Sequence, residues 1–120
     1  MAKRTINVSL RKKPQRKLSF RSTYHISFKE VLLYSAETFG QRVANEFYSE
    51  IKRKIISLQT MPNMHPKCRF IDSTETKTYR NIIVRNYFIV YSVTSTQITV
   101  IDIIHHAVNP ENMKERIESL

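Results

Sequence analysis

The chain has 120 residues, 41% hydrophobic and 25% charged, which is ordinary globular usage for a single domain. One cysteine, Cys68, excludes an intrachain disulfide and fits a reducing compartment, so a cytoplasmic location is expected. One glycine, Gly40, excludes the glycine-rich phosphate loops and the nucleophile elbow, which need several glycines to bring backbone close to a ligand.

The net charge of +10 is unevenly placed. Residues 1–21 carry eight basic residues and no acid, whereas residues 22–120 carry twelve basic against ten acidic. Basicity therefore belongs to an N-terminal arm, not to the body. Lys3, Arg4, Arg11, Lys12, Lys13, Arg16 and Lys17 form a candidate polyanion-binding arm, whose attraction for its partner falls with salt. The plain alternative is a solvated tail. The longest apolar run, Tyr87 to Tyr91, is far too short to span a bilayer, and no apolar signal region follows the basic start. No membrane partner is expected.

In chain order, Thr5 to Leu10 alternates apolar and polar residues as a half-buried strand does. Pro14 interrupts, and Lys17 to Phe20 reads as a short strand. Ser22-Thr23 is placed to cap a helix running to about Thr38, with Tyr24, Phe28, Val31, Leu32, Ser35 and Phe39 on its core stripe. Gly40 ends it. A second helix from about Gln41 to Thr60 puts Val43, Ala44, Phe47, Ile51, Ile55 and Leu58 on one face, and Glu50 with Lys54 at i,i+4 spacing. Pro62 and Pro66 mark a loop, and Cys68 to Ile71 an edge piece. The period then changes to two. Thr78–Arg85, Tyr87–Val93 and Gln97–His105 read as three strands joined by turns at Arg85-Asn86 and Ser95-Thr96. Asn109, Pro110 and Glu111 open a terminal helix. The expected fold is α+β: a helical hairpin on one face of a twisted, mainly antiparallel sheet of about four strands, with the order β-α-α-β-β-β. The other sheet face is left for a partner or solvent. Residues 1–16 read as a basic extension and 17–120 as the domain.

Several segments, in this order, resemble the RelE/ParE superfamily of toxins from type II toxin–antitoxin (plasmid stabilisation) systems. They are Tyr34…Phe39-Gly40…Ala44, Leu58…Pro62, Tyr79-Arg80-Asn81-Ile82, Tyr87-Phe88-Ile89-Val90-Tyr91-Ser92-Val93, and Ile101-Asp102-Ile103-Ile104-His105. The resemblance covers roughly residues 17–110; the extension lies outside it.

The resemblance implies one of two activities. RelE-like members cleave messenger RNA on the ribosome without metal, which needs a general base, a general acid and a cation at the scissile phosphate. ParE-like members inhibit DNA gyrase by binding it. The candidates for phosphodiester chemistry are Arg80, Arg85, Tyr87, His105 and His106, of which the nuclease alternative would use Arg80, Tyr87 and His106. Neighbouring strand residues point to opposite faces, so only one of His105 and His106 is expected at a given site. Ala107-Val108 stands where the nucleases carry a basic residue, and the body is nearly neutral. The ParE-like reading is therefore preferred, with no catalytic residue assigned. The RelE-like nuclease is the alternative, and an inert binding module or decayed toxin is a third reading. The implied partners are a cognate antitoxin and either DNA gyrase or the ribosome. Leu33, Tyr34, Tyr48 and Ile56, apolar residues off the core stripes, are the candidate antitoxin contacts. No cofactor or metal is expected: Cys68, His25 and His65 lack zinc-ligand spacing, and the carboxylates are not clustered.

Overall fold

The computed structural model describes residues 16–118. Within them the chain forms β1 (Lys17–Phe20), α1 (Ser22–Phe39), α2 (Gln41–Ser57), β2 (Thr78–Val84), β3 (Tyr87–Val93), β4 (Gln97–His105) and α3 (Pro110–Glu118). The expected strand at Thr5–Leu10 lies outside the described residues, as do Lys3, Arg4, Arg11, Lys12 and Lys13. Arg16 and Lys17 are built into the sheet edge: Arg16 Nε donates to the Thr94 carbonyl at 2.8 Å, and the Lys17 N–H to the Thr96 carbonyl at 2.9 Å.

The four strands form one sheet in the order β1-β4-β3-β2. The hairpins β2–β3 and β3–β4 are antiparallel, as their short turns require, while β1 runs parallel to β4, with Lys17 opposite Gln97 and Phe20 opposite Val100. Arg85 takes the positive φ of the β2–β3 turn, at 53°. A bulge interrupts β3–β4. Val90 faces Asp102 but Tyr91 faces Val100, so Ile101 is the extra residue, and the strand changes which side chains it turns to each face.

The helical hairpin covers the first face. Its core joins Tyr24 of α1 and Phe47, Ile51 and Ile55 of α2 to Ile82, Ile89, Tyr91, Val100 and Ile103 of the sheet. The hairpin turns at Gly40, whose φ of 97° and ψ of 161° lie where a side chain is strained. Three local expectations change. The α1 N-terminus has no side-chain cap, because Thr23 Oγ1 donates instead to the Ile101 carbonyl at the bulge, 2.8 Å away. Phe39 is exposed rather than core. Glu50 turns from Lys54 to Arg85 Nε, 3.1 Å away across the hairpin–sheet boundary.

The second face is not left open. Met113 and Ile117 of α3, with Cys68 and Ile71 of the segment between α2 and β2, bury Val90, Ile101 and Ile104 in a second core. Asn109 caps α3 through its Oδ1, which accepts the Glu111 N–H at 2.8 Å. The Cys68–Ile71 piece reaches β2 through the Cys68 N–H to the Tyr79 carbonyl, and Lys67 bridges Arg80. Burial pushes the Cys68 thiol up, partly offset by the backbone of Phe70 and Ile71. Asp102, 1% exposed, accepts the Ile103 N–H at 2.8 Å and pairs with Arg116 Nη2 of α3 at 2.8 Å; the same nitrogen reaches the buried Ser27 hydroxyl at 3.3 Å.

Tyr91 is wholly buried and donates to the Pro62 carbonyl at 2.7 Å, tying the loop after α2 to the sheet centre. Burial pushes its phenol up to about 12, although nearby Arg80 pulls the other way. A folded-state value above the unfolded one near 10 gives stability that is complete below about pH 10 and is lost as pH rises toward about 12. The denaturation midpoint is expected to fall across that alkaline window, and Tyr91→Phe is expected to flatten the fall. A Tyr91→Phe profile parallel to the parent's assigns the alkaline loss to other groups, of which buried Tyr24 is the next in line.

Candidate functional site

Two separate concavities flank the helical hairpin. The larger, about 570 Å³, lies where α1 and α2 meet β1. Leu18, Tyr24, Phe28 and Ile55 line it, and exposed Phe20, Tyr48 and Ile56 stand around it. Four aromatic rings cross it in series: Phe20 to Tyr24 at 5.4 Å, Tyr24 to Phe28 stacked at 5.3 Å, and Phe28 to Tyr48 stacked at 5.6 Å. Burial, with Tyr48 beside it, pushes the Tyr24 phenol up, so that hydroxyl is neutral at ordinary pH. Cationic groups sit at the same groove: Lys29, and Lys52, whose Nζ lies 5.7 Å from the Tyr48 ring centre.

Of the four candidate contact residues, Tyr48 and Ile56 line this groove. Leu33 lines a neighbouring shallow groove of about 500 Å³ that shares Lys29, Leu32 and Tyr48 with it. Tyr34 belongs to the second concavity. Phe20 and Phe28 were missed from sequence. The signal was the parity of β1, which puts Leu18 and Phe20 on the side that meets α1.

The second concavity, about 290 Å³, lies between the Gly40 end of the hairpin and the β3–β4 end of the sheet. Tyr34, Ser35 and Phe39 of α1 face Arg85, Tyr87 and His105 across it. Tyr87 pairs with His105 in register, and their rings meet edge to face at 5.1 Å. His105 and His106 do not point to opposite faces. The strand ends at His105, His106 enters a turn with its N–H donated to the Asn86 carbonyl at 2.8 Å, and the two imidazoles stack at 4.8 Å. His105 Nδ1 accepts the Ala107 N–H at 3.0 Å, so in the neutral ring the proton is on Nε2. Burial, with Tyr34 nearby, pushes the Tyr87 phenol up.

The structure does not bring Arg80 to this place. Arg80 is opposite Tyr91 and Tyr87 is opposite Val84, four residues along β2, about 13 Å at the strand rise of about 3.3 Å per residue. Arg80 Nη1 instead donates to the His65 carbonyl at 2.6 Å, while Arg80 Nε and His65 Nε2 are buried without partners. Burial, then the charges of Lys54 and Arg80, hold the His65 imidazole below its ordinary range. Among the described residues no three of His, Cys, Asp and Glu come together as metal ligands, and no helix is long and apolar enough to cross a membrane.

No curated protein matches this chain. Among solved structures it is similar to a chain of the chromosomal ParDE TA system from P. aeruginosa, at 12% identity and a TM-score of 0.61, over 76% of this chain and 96% of that one. At that identity the likeness speaks for the fold. The family match is independent of it: residues 19–110, from β1 to the start of α3, match the ParE toxin of type II toxin–antitoxin systems, parDE. With most of its length matched, this chain belongs to the ParE toxin family of type II toxin–antitoxin systems.

Proposed function

We propose that this toxin acts by binding its target, DNA gyrase, rather than by cleaving RNA, and that a cognate antitoxin neutralises it through the aromatic groove. The observation that carries the non-catalytic reading is that Arg80, the cation of the nuclease alternative, lies four residues along β2 from the register position of Tyr87 and has its Nη1 bonded to the His65 carbonyl. An in-line phosphodiester cleavage needs its cation, acid and base within hydrogen-bond reach of one phosphate. Arg80 is instead turned to the loop after α2, and Arg85, the cation beside Tyr87, is engaged by Glu50.

The groove supports the neutralisation half. It offers exposed Phe20, Tyr48 and Ile56 around a floor that is already packed, which is the form of a helix-in-groove site. Lys29 and Lys52 beside it favour a segment that carries acids next to its apolar anchors. A short, otherwise structureless antitoxin segment ordered on this surface would take its affinity from those anchors.

Induced expression, with and without the neighbouring antitoxin gene, tests both halves. The expected result without antitoxin is filamentous cells with DNA-damage signalling and intact transcripts. Rapid translation arrest with cleaved transcripts would establish the RelE-like alternative, and unaffected growth the inert module. Ile56→Asp is expected to leave toxicity in place while weakening antitoxin binding roughly tenfold or more, because a charge then sits at an apolar anchor. Full neutralisation of Ile56→Asp, or of the parent by an antitoxin truncated of its C-terminal segment, would remove the groove from the account.

A further inference from the structure

The smaller cleft differs from the aromatic groove in chemistry. Its volume of about 290 Å³ is at the low end for small-molecule sites and suits one substituted ring system, not a helix. Aromatic side chains stand on both sides. Tyr34 and Phe39 meet edge to face with ring centres 6.5 Å apart, and Tyr87 faces them from the sheet, held against Phe47 at 5.5 Å.

Polar groups with hydrogen-bonding capacity to spare converge between them. Ser35 is 6% exposed, and among the described residues its hydroxyl makes no hydrogen bond, yet it lines the cleft. The hydroxyl keeps contact with solvent at the cleft wall, so a ligand can take the place of its water. His105 has its Nδ1 engaged by Ala107, which leaves Nε2 for a ligand. Arg85 donates Nε to Glu50 and lays its guanidinium 5.0 Å from the Phe47 ring centre; its remaining N–H groups bond no described residue.

We propose that this cleft binds a nucleotide: the base lies between the Tyr34–Phe39 pair and Tyr87, its edge meets the Ser35 hydroxyl and His105, and its phosphate pairs with Arg85. Each part has a physical reason. Every base has a π face, so aromatic walls accept bases with little sequence preference. A serine hydroxyl gives or accepts a hydrogen bond, so it serves either kind of base edge. The planar guanidinium fork matches phosphate oxygens. An aromatic side chain from a protein partner would fill the walls but leave Arg85 and Ser35 unanswered. No bond is made or broken, Arg80 is not used, and the site is independent of the antitoxin groove. The ligand is either a free nucleotide or one unit of a single strand.

The test uses the full chain. Labelled single-stranded hexanucleotides of RNA and DNA are titrated by fluorescence anisotropy across a salt series, and AMP and UMP by amide chemical shifts. Saturable binding is expected, weakened roughly tenfold by Tyr34→Ala and by Arg85→Gln. Arg85→Gln should also lower the salt slope of strand binding by about one phosphate contact. Ser35→Val, which removes the hydroxyl and fills its space, should act likewise, with thermal unfolding run alongside. If that variant does not fold, the two exposed positions still decide. Mononucleotide binding with this variant pattern assigns a free nucleotide; strand binding alone with the same pattern assigns a strand. No saturable binding of either overturns the proposal. So does binding that survives these variants and disappears when residues 2–15 are removed, because the arm's charge alone would then account for it.

Discussion

Phe47→Ala is expected to lower the unfolding free energy by about 3–5 kcal/mol, the range for deleting a large buried aromatic side chain. Phe47 is 2% exposed and stands on the inner face of α2. Its ring touches Tyr87 of β3 and lies beneath the Arg85 guanidinium, so one side chain joins helix, strand and turn. Removing it opens a cavity between rigid elements that cannot close around it. Domains of this size hold about 5–15 kcal/mol in total, so about a fifth or more of the stability goes with one ring. Urea unfolding should show a lower midpoint at unchanged slope. Phe47→Leu, which keeps most of the volume, should cost only about 1–2 kcal/mol. A loss below about 1 kcal/mol in Phe47→Ala would mean that the hairpin is not seated on the sheet as described.

Arg116→Ala is the second large effect. It leaves the Asp102 carboxylate buried beside the bulge, with the Ile103 N–H still donating to it but its cation gone. The Arg116 side chain is itself 42% exposed, so water screens part of the pair. The expected cost is about 2–3 kcal/mol, below that of a fully buried ion pair. The loss should be local as well as global: the amides of residues 110–118 should exchange faster with solvent than those of α1. Replacing both partners, Asp102→Asn with Arg116→Met, should recover part of the loss, because no charge is then left stranded. Uniform exchange across the two helices would show that Met113 and Ile117 alone hold α3 in place.

Local rules made most of the elements legible. The β3 and β4 boundaries follow from uninterrupted period-two runs of β-branched and aromatic residues. The helical hairpin follows from two 3.6-period stripes separated by the one glycine. What escaped notice depends on distant partners. Nothing around Ile101 announces a bulge; it exists because Arg21 and Thr23 take the Val100 and Ile101 carbonyls from the other end of the chain. The covering of the second face rests on two apolar residues in a polar helix, Met113 and Ile117, too few to signal a core without Asp102 waiting beneath Arg116. Glu50 had a helical neighbour at the right spacing and a better one 35 residues on. The candidate site was legible as residue types but not as a place. Arg85, Tyr87 and His105 were named, yet Tyr34, Ser35 and Phe39 meet them only because the hairpin ends over that corner of the sheet. The stacking of His105 on His106 reversed an inference that holds only inside a strand.

The parallel pairing of β1 with β4 also sets an order of assembly. Residues 17–20 are made first, and their partners at 97–100 come some eighty residues later. At about 5–20 residues per second, the ribosome takes roughly 4–16 s to supply the strand that completes the sheet. During that interval the helical hairpin can form from local contacts, but its inner face has only part of a sheet to rest on, and β1 has none. A chain stopped before β4 therefore lacks the strand that β1 pairs with, and the His105 wall of the smaller cleft. The sheet, and with it the placing of β1 beside the apolar groove, is thus completed only once β4 has been made.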